Sequence, residues 1–277
     1  MAKLKIKNTK LDKRSVYLRK LILKGLAGGK RGHVGSSMSL VEILRVLYDH
    51  VLKYNPKKIN LEERDRFILS KGHGCLALYA ILSDKGFFSK EKLKTFCKSK
   101  SILGGHPDRN IPGVETTTGS LGHGLSIGIG IALSLKIKKR KSKVYIVLGD
   151  GEMNEGSVWE GLMSASKHKL DNLVVIVDHN NLQTYGSPEE VAGLSNIKDK
   201  MKSFGFRVKE VDGHSTKDIK KALKNKKDNS KKPLGLICRT IKGKGIDFAE
   251  NQLDWHHKAN LDDLTIKNIY NSLNKIS

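Results

Sequence analysis

The chain has 277 residues, 52 of them basic and 28 acidic, for a formal net charge of +24. That length allows one large α/β domain or two small ones; a hydrophobic share of 38% supports a core, and no apolar run approaches the ~20 residues of a membrane span. The lysines scatter instead of gathering with aromatics in a nucleic-acid motif, and Cys75, Cys97 and Cys238 match no metal or disulfide spacing, so neither a nucleic acid nor a membrane partner is expected.

In chain order, the basic segment Met1-Ala2-Lys3-Leu4-Lys5 has no apolar stretch behind it and does not read as a signal peptide. With the unpaired cysteines, this indicates a reducing cytoplasm. An amphipathic helix is predicted over residues 15–27, ended by Gly28-Gly29, then a loop over 32–38. Ser39 reads as the N-cap of a helix over 40–52, which Asn55-Pro56 stops. A short strand follows at 66–70, a turn at Gly72-His73-Gly74, a helix at 75–85 and a Ser-capped helix at 89–98. Residues 104–122 carry glycine and threonine without helical period, and a long ordered loop of that kind is usually functional. The glycine-rich, mostly apolar stretch 122–138 predicts a buried, closely packed helix. A strand at 144–148, a helix at 155–169 and a strand at 173–178 come next. Helices near 197–204 and 216–226, strands near 207–211 and 233–240, a loop at 242–258 and a last helix at 261–274 complete the chain. Strands alternating with helices argue for one doubly wound α/β domain, with a mostly parallel sheet flanked by helices, over residues 1–277. The lysine runs at 136–143 and 220–232 read as solvated helix ends and loop.

Strand 144–148 runs into Gly149-Asp150-Gly151, and strand 173–178 runs toward Asn180-Asn181. A strand–helix–strand unit places both segments at the carboxyl ends of parallel strands, where ligands of open α/β sheets bind. A carboxylate and an amide oxygen there suit Mg²⁺ shared with substrate phosphates, and the glycines beside Asp150 let a diphosphate approach the backbone. Four histidines, His33, His73, His106 and His256, lie in loops beside glycine or small residues. Histidine is the usual acid–base side chain near neutral pH.

Gly-Asp-Gly, a gap of 28 residues (positions 152–179), then Asn-Asn resembles the diphosphate–Mg²⁺ signature of thiamine-diphosphate enzymes. Gly32-His33-Val34-Gly35, Ser70-Lys71-Gly72-His73-Gly74, Gly105-His106-Pro107 and the loop Gly113-Val114-Glu115-Thr116-Thr117-Thr118-Gly119-Ser120-Leu121-Gly122 resemble, in order, the loops of transketolases. The resemblance runs from about residue 15 to 259 and implies the thiamine-diphosphate-binding fold of the diphosphate-binding type. It implies that His33, His73, His106 and His256 act on the substrate and move protons, and that Glu155 is the family's interface glutamate. It assigns His73, Gly119, Ser120, Leu121, Gly149, Asp150, Gly151, Glu152, Asn180 and His256 to thiamine diphosphate. The ligands of Mg²⁺, or of Ca²⁺ or Mn²⁺ in its place, become Asp150, Asn180 and the Leu182 carbonyl. At His257 the chain departs from the glycine usual in the family.

Transketolases of the usual kind are more than twice this length, and the sequence resembles only their N-terminal, diphosphate-binding domain. The pyrimidine-binding and C-terminal domains are therefore expected on a separate chain, in an α₂β₂ assembly acting on sugar phosphates, with this chain inactive alone. The 2-oxo acid dehydrogenase α subunits share the Gly-Asp-Gly…Asn signature but lack the four histidines and the 113–122 loop. Deoxyxylulose-phosphate synthase is normally undivided. A non-catalytic cofactor-binding module is the alternative of a different class.

Overall fold

Five strands collect the apolar runs: β1 (Arg66–Leu69), β2 (Val144–Gly149), β3 (Leu173–His179), β4 (Arg207–Asp212) and β5 (Leu234–Arg239). They form one sheet in the order β1-β2-β3-β5-β4, with every pair parallel. The computed structural model describes residues 9–224 and 230–276; the Met1 segment and positions 225–226 of the expected 216–226 helix lie outside them.

Helices cover both faces of the sheet. On one side lie α1 (Lys13–Gly29), α2 (Val34–Ser39), α3 (Val41–Val46), α4 (Cys75–Asp84), α9 (Thr216–Lys224) and α10 (Asp263–Ile276). On the other lie α5 (His123–Ile137), α6 (Gly156–Lys167) and α8 (Ile197–Ser203). The two-residue period of a strand sorts the core: Val144, Ile146 and Leu148 belong to the apolar cluster shared with α5 and α6, while Tyr145 and Val147 belong to the one shared with α1 and α4. Both faces being covered explains why β2 and β3 read as continuous apolar runs and not as alternating ones.

All five expected strands are present, and the expected doubly wound, parallel architecture is the one observed. Several local expectations differ. Residues 32–38 are not a loop, because α2 begins at Val34, with His33 as its N-cap residue. Ser39 does not cap the next helix; it closes α2 and donates its hydroxyl to Asp178 Oδ2 at 2.7 Å. The helix expected over 40–52 is α3 followed by a π-helical turn, Leu47–Val51. The one expected over 89–98 is a 3₁₀ segment, Lys90–Thr95. The one expected from 155 is preceded by a 3₁₀ turn, Gly151–Asn154. A short helix not read from the sequence, α7 (Pro188–Ala192), starts from a Ser187/Glu190 capping box.

Helix α5 is closely packed but not buried all round. An added Cβ at Gly124 would stand 2.5 Å from Ser70 Oγ, and one at Gly128 would stand 2.3 Å from Ile146 Cδ1. Its other face leaves Ile127 41% and Ile137 72% exposed, and on α6 Met163 is 54% exposed.

Candidate active site

Four parallel strands deliver their carboxyl ends to one cleft. Ser70-Lys71-Gly72-His73 follows β1, Asp150 follows β2, Asn180 to Thr184 follows β3 and Lys242 follows β5. The opening has a volume of about 250 Å³. His33, His73, His106, Gly119, Leu121, Gly149, Asp150, Gly151, Glu152, Asn180, Leu182 and His256, all expected at the site, line it. Ser120 is exposed and outside that lining, as is Glu155, an exposed residue whose side chain abuts Gly122 at the start of α5.

The four expected histidines converge from four separate loops. His33 is the hub: its ring lies 5.2 Å from His73, 6.2 Å from His106 and 5.5 Å from His256. His73 and His256 stack at 5.8 Å. His257 adds a fifth ring, 4.6 Å from His33. Burial, reinforced by His257 and the other nearby imidazoles, holds His33 down to about 3. Burial and then Lys242 hold His256 at about 4, and burial followed by Lys71 puts His73 well below its ordinary value. These three rings are neutral at pH 7. Each offers one N–H donor and one lone-pair acceptor to hydroxyl groups.

Beneath the rings lies a charged floor. Asp150 Oδ1 accepts from the Gly151 amide at 2.9 Å, and its other oxygen accepts from the Asn181 amide. Burial and the neighbouring Asp178 carboxylate push Asp150 up to about 6. The Asn180 side-chain oxygen accepts from the Leu182 amide at 3.2 Å, which folds the loop so that the Leu182 carbonyl faces the cleft. Lys242 Nζ donates to that carbonyl at 2.7 Å and bonds His256 Nδ1 at 2.7 Å. Its ammonium is lowered to about 8 by burial and by Lys71. Glu152, expected at the cofactor, is buried and already committed. One oxygen accepts from the Ser70 hydroxyl and from Gly122 N at 3.0 Å, and the other from Gly149 N at 3.1 Å. It ties three site loops together.

The donor set fits a diphosphate held with a hard divalent ion. Asp150, Asn180 and the Leu182 carbonyl are oxygen donors. Among the described residues no cluster of three or more His, Cys, Asp or Glu could hold a metal by itself. A site needing ligand phosphates to complete its shell has that composition. Lys71 and Lys242 supply positive charge, and Gln183 Nε2 is a buried donor with no partner among the described residues.

Comparison with known proteins gives the family. The family described as "Transketolase, thiamine diphosphate binding domain" matches residues 12–274. The chain belongs to the transketolase family. Within that family it is 42% identical over 247 residues to one of the subunits of the apulose-4-phosphate transketolase of Phocaeicola vulgatus, covering 89% of this chain and 88% of that protein. It is 40% identical over 248 residues to the 6-deoxy-6-sulfo-D-fructose transketolase subunit SqwG of a Clostridium species, covering 89% and 90%. Human transketolase is 36% identical over 246 residues, but this chain spans only 39% of it. The crystal structure of transketolase from Campylobacter jejuni superposes with a TM-score of 0.87 at 33% identity, over 94% of this chain and 42% of that one.

Sequence reasoning missed Lys71, Lys242 and Gln183. Lys71 and Lys242 each sit beside glycine at a strand end, in Ser70-Lys71-Gly72 and Ile241-Lys242-Gly243, a signal hidden among 52 basic residues. Gln183 carries no signal beyond its adjacency to Leu182. Lys71 is fully buried and pairs with Asp178 at 2.7 Å.

Proposed function

We propose that this chain is the N-terminal, diphosphate-binding subunit of a two-chain transketolase that moves a two-carbon ketol unit from a ketose phosphate to an aldose phosphate. The observation that carries this is the convergence of His33, His73, His106 and His256 over the Asp150–Asn180 floor. It is supported by likeness, over about nine-tenths of their length, to relatives named as transketolase subunits. Thiamine diphosphate, when bound, supplies the carbon centre that holds the transferred unit. Asp150, Asn180 and the Leu182 carbonyl hold Mg²⁺, and the floor cations offset the diphosphate charge. The neutral imidazoles bond the sugar hydroxyls and carry protons to and from the donor carbonyl and the C3 hydroxyl.

The remaining active-site groups come from a partner chain with the pyrimidine-binding and C-terminal domains, in an α₂β₂ assembly. A cleft of about 250 Å³, open on one side, suits half a cofactor site. The exposed apolar side chains of α5 and α6, Ile127 and Met163, suit a protein interface. The three free cysteines accord with a reducing cytoplasm. Among the described residues no helix is long and apolar enough to cross a membrane.

Reconstitution tests the proposal. The chain should be inactive when purified alone and active with its co-purifying partner, and His73→Ala should cut turnover far more than cofactor affinity. Ile127→Glu should leave the chain folded and abolish partner capture. Ketol transfer by the rigorously purified single chain would refute the two-chain assignment.

A further inference from the structure

We propose that Gln183 is an additional ligand of the cofactor's diphosphate, donating its side-chain amide N–H to a phosphoryl oxygen. This rests on the diphosphate reading of the cleft and extends it to a residue outside the Gly-Asp-Gly and Asn-Asn segments. Gln183 lines the same cleft as Asp150, Gly151 and Asn180. Its Nε2 is buried and has no hydrogen-bond partner among the described residues. A buried donor left unmade is costly in a folded chain and is retained where a ligand completes it.

The loop that carries the side chain is fixed by its backbone. Gln183 N donates to Gly186 O at 2.8 Å, which closes the loop after β3. Gly151 provides the room on the other side: a Cβ there would stand 2.7 Å from Gln183 Oε1 and 3.0 Å from its Cβ. Glycine at 151 is thus a seat for the Gln183 amide as well as an approach for the ligand. The side-chain oxygens proposed for the metal accept from the backbone: Asp150 from Gly151 and Asn181, and Asn180 from Leu182. An amide N–H cannot bind a cation, so the group it completes is an acceptor. The acceptor expected beside Lys71, Lys242 and the Gly151 seat is a phosphoryl oxygen.

The test is a calorimetric titration of the full chain, purified with its partner, with thiamine diphosphate and separately with inorganic diphosphate, each with Mg²⁺. Gln183→Met should weaken both ligands by about tenfold or more, the scale of one hydrogen bond to a charged group. Without ligand the variant should be at least as stable to urea as the parent, because the unmade donor is gone; a merely structural glutamine would lose stability. Gln183→Glu should weaken both ligands further, since it replaces the donor with an anion. Unchanged affinity in Gln183→Met, or tighter binding in Gln183→Glu, would overturn the proposal and in the second case make the side-chain oxygen a metal ligand. If the parent itself binds neither ligand, the diphosphate reading fails and this assignment fails with it.

Discussion

Replacing Lys71 by methionine should destabilise this protein severely, and the reason lies in three contacts. Asp178 has no exposed surface, and its carboxylate accepts from Lys71 Nζ at 2.7 Å, Ser39 Oγ at 2.7 Å and Thr240 Oγ1. Burial pushes this carboxyl up, and the Lys71 charge, with the hydrogen bonds, outweighs that and holds it below its ordinary value. Met fills the space of the lysine stem but leaves a buried carboxylate with two neutral donors. Removing one partner of a buried ion pair costs about 3–5 kcal/mol, a large share of the roughly 5–15 kcal/mol that holds a domain together. The sign with pH follows. In the variant the folded-state pKa of Asp178 rises above its unfolded value, so Asp178 is protonated in the fold at low pH. Stability is then retained below the unfolded value and lost as pH rises through the folded one. Urea unfolding should therefore show a deficit that is largest near pH 7–8 and smaller near pH 5. Lys71→Met/Asp178→Asn should recover most of it, because the stranded charge is gone. A deficit under about 1 kcal/mol at pH 7, or a double variant as unstable as the single one, would refute the account.

Two further outcomes follow from the same structure. Asp150 is raised to about 6 by burial and by Asp178, and it must be ionised to hold a divalent ion. Mg²⁺-dependent cofactor affinity, measured by calorimetry, should hold steady above that pH and fall roughly tenfold per unit below it; a flat profile down to pH 5 would remove Asp150 from the metal. On α5, Gly128→Val should cost about 1–3 kcal/mol by forcing Ile146 Cδ1 aside, whereas Gly130→Ala, where an added Cβ meets nothing within 4 Å, should stabilise by about 0.5–1 kcal/mol. Paired urea midpoints separate close packing from helix propensity.

What the sequence determined by itself was local and periodic. Continuous apolar runs at 144–148 and 173–178 specified buried parallel strands, and Gly-Asp-Gly and Asn-Asn at their ends marked oxygen donors suited to a divalent ion and a diphosphate. Chain order and the glycine-flanked histidines supplied the family. Local signals misled where the deciding contacts lay far away in sequence. Ser39 has the chemistry of an N-cap, but Asp178, 139 residues distant, takes its hydroxyl. Apolar residues all around α5 suggested full burial, yet the sheet covers only one of its faces and Ile127 stays exposed. The tertiary structure set the distances at which His33, His73, His106 and His256 share one cleft, and it alone decided that Glu152 ties loops together and that Lys71, Lys242 and Gln183 belong to the floor. Periodicity fixes which way a side chain points on its own element, whereas the distance between loops is set by strand order, here β1-β2-β3-β5-β4, and by the packing that draws four parallel carboxyl ends to one place.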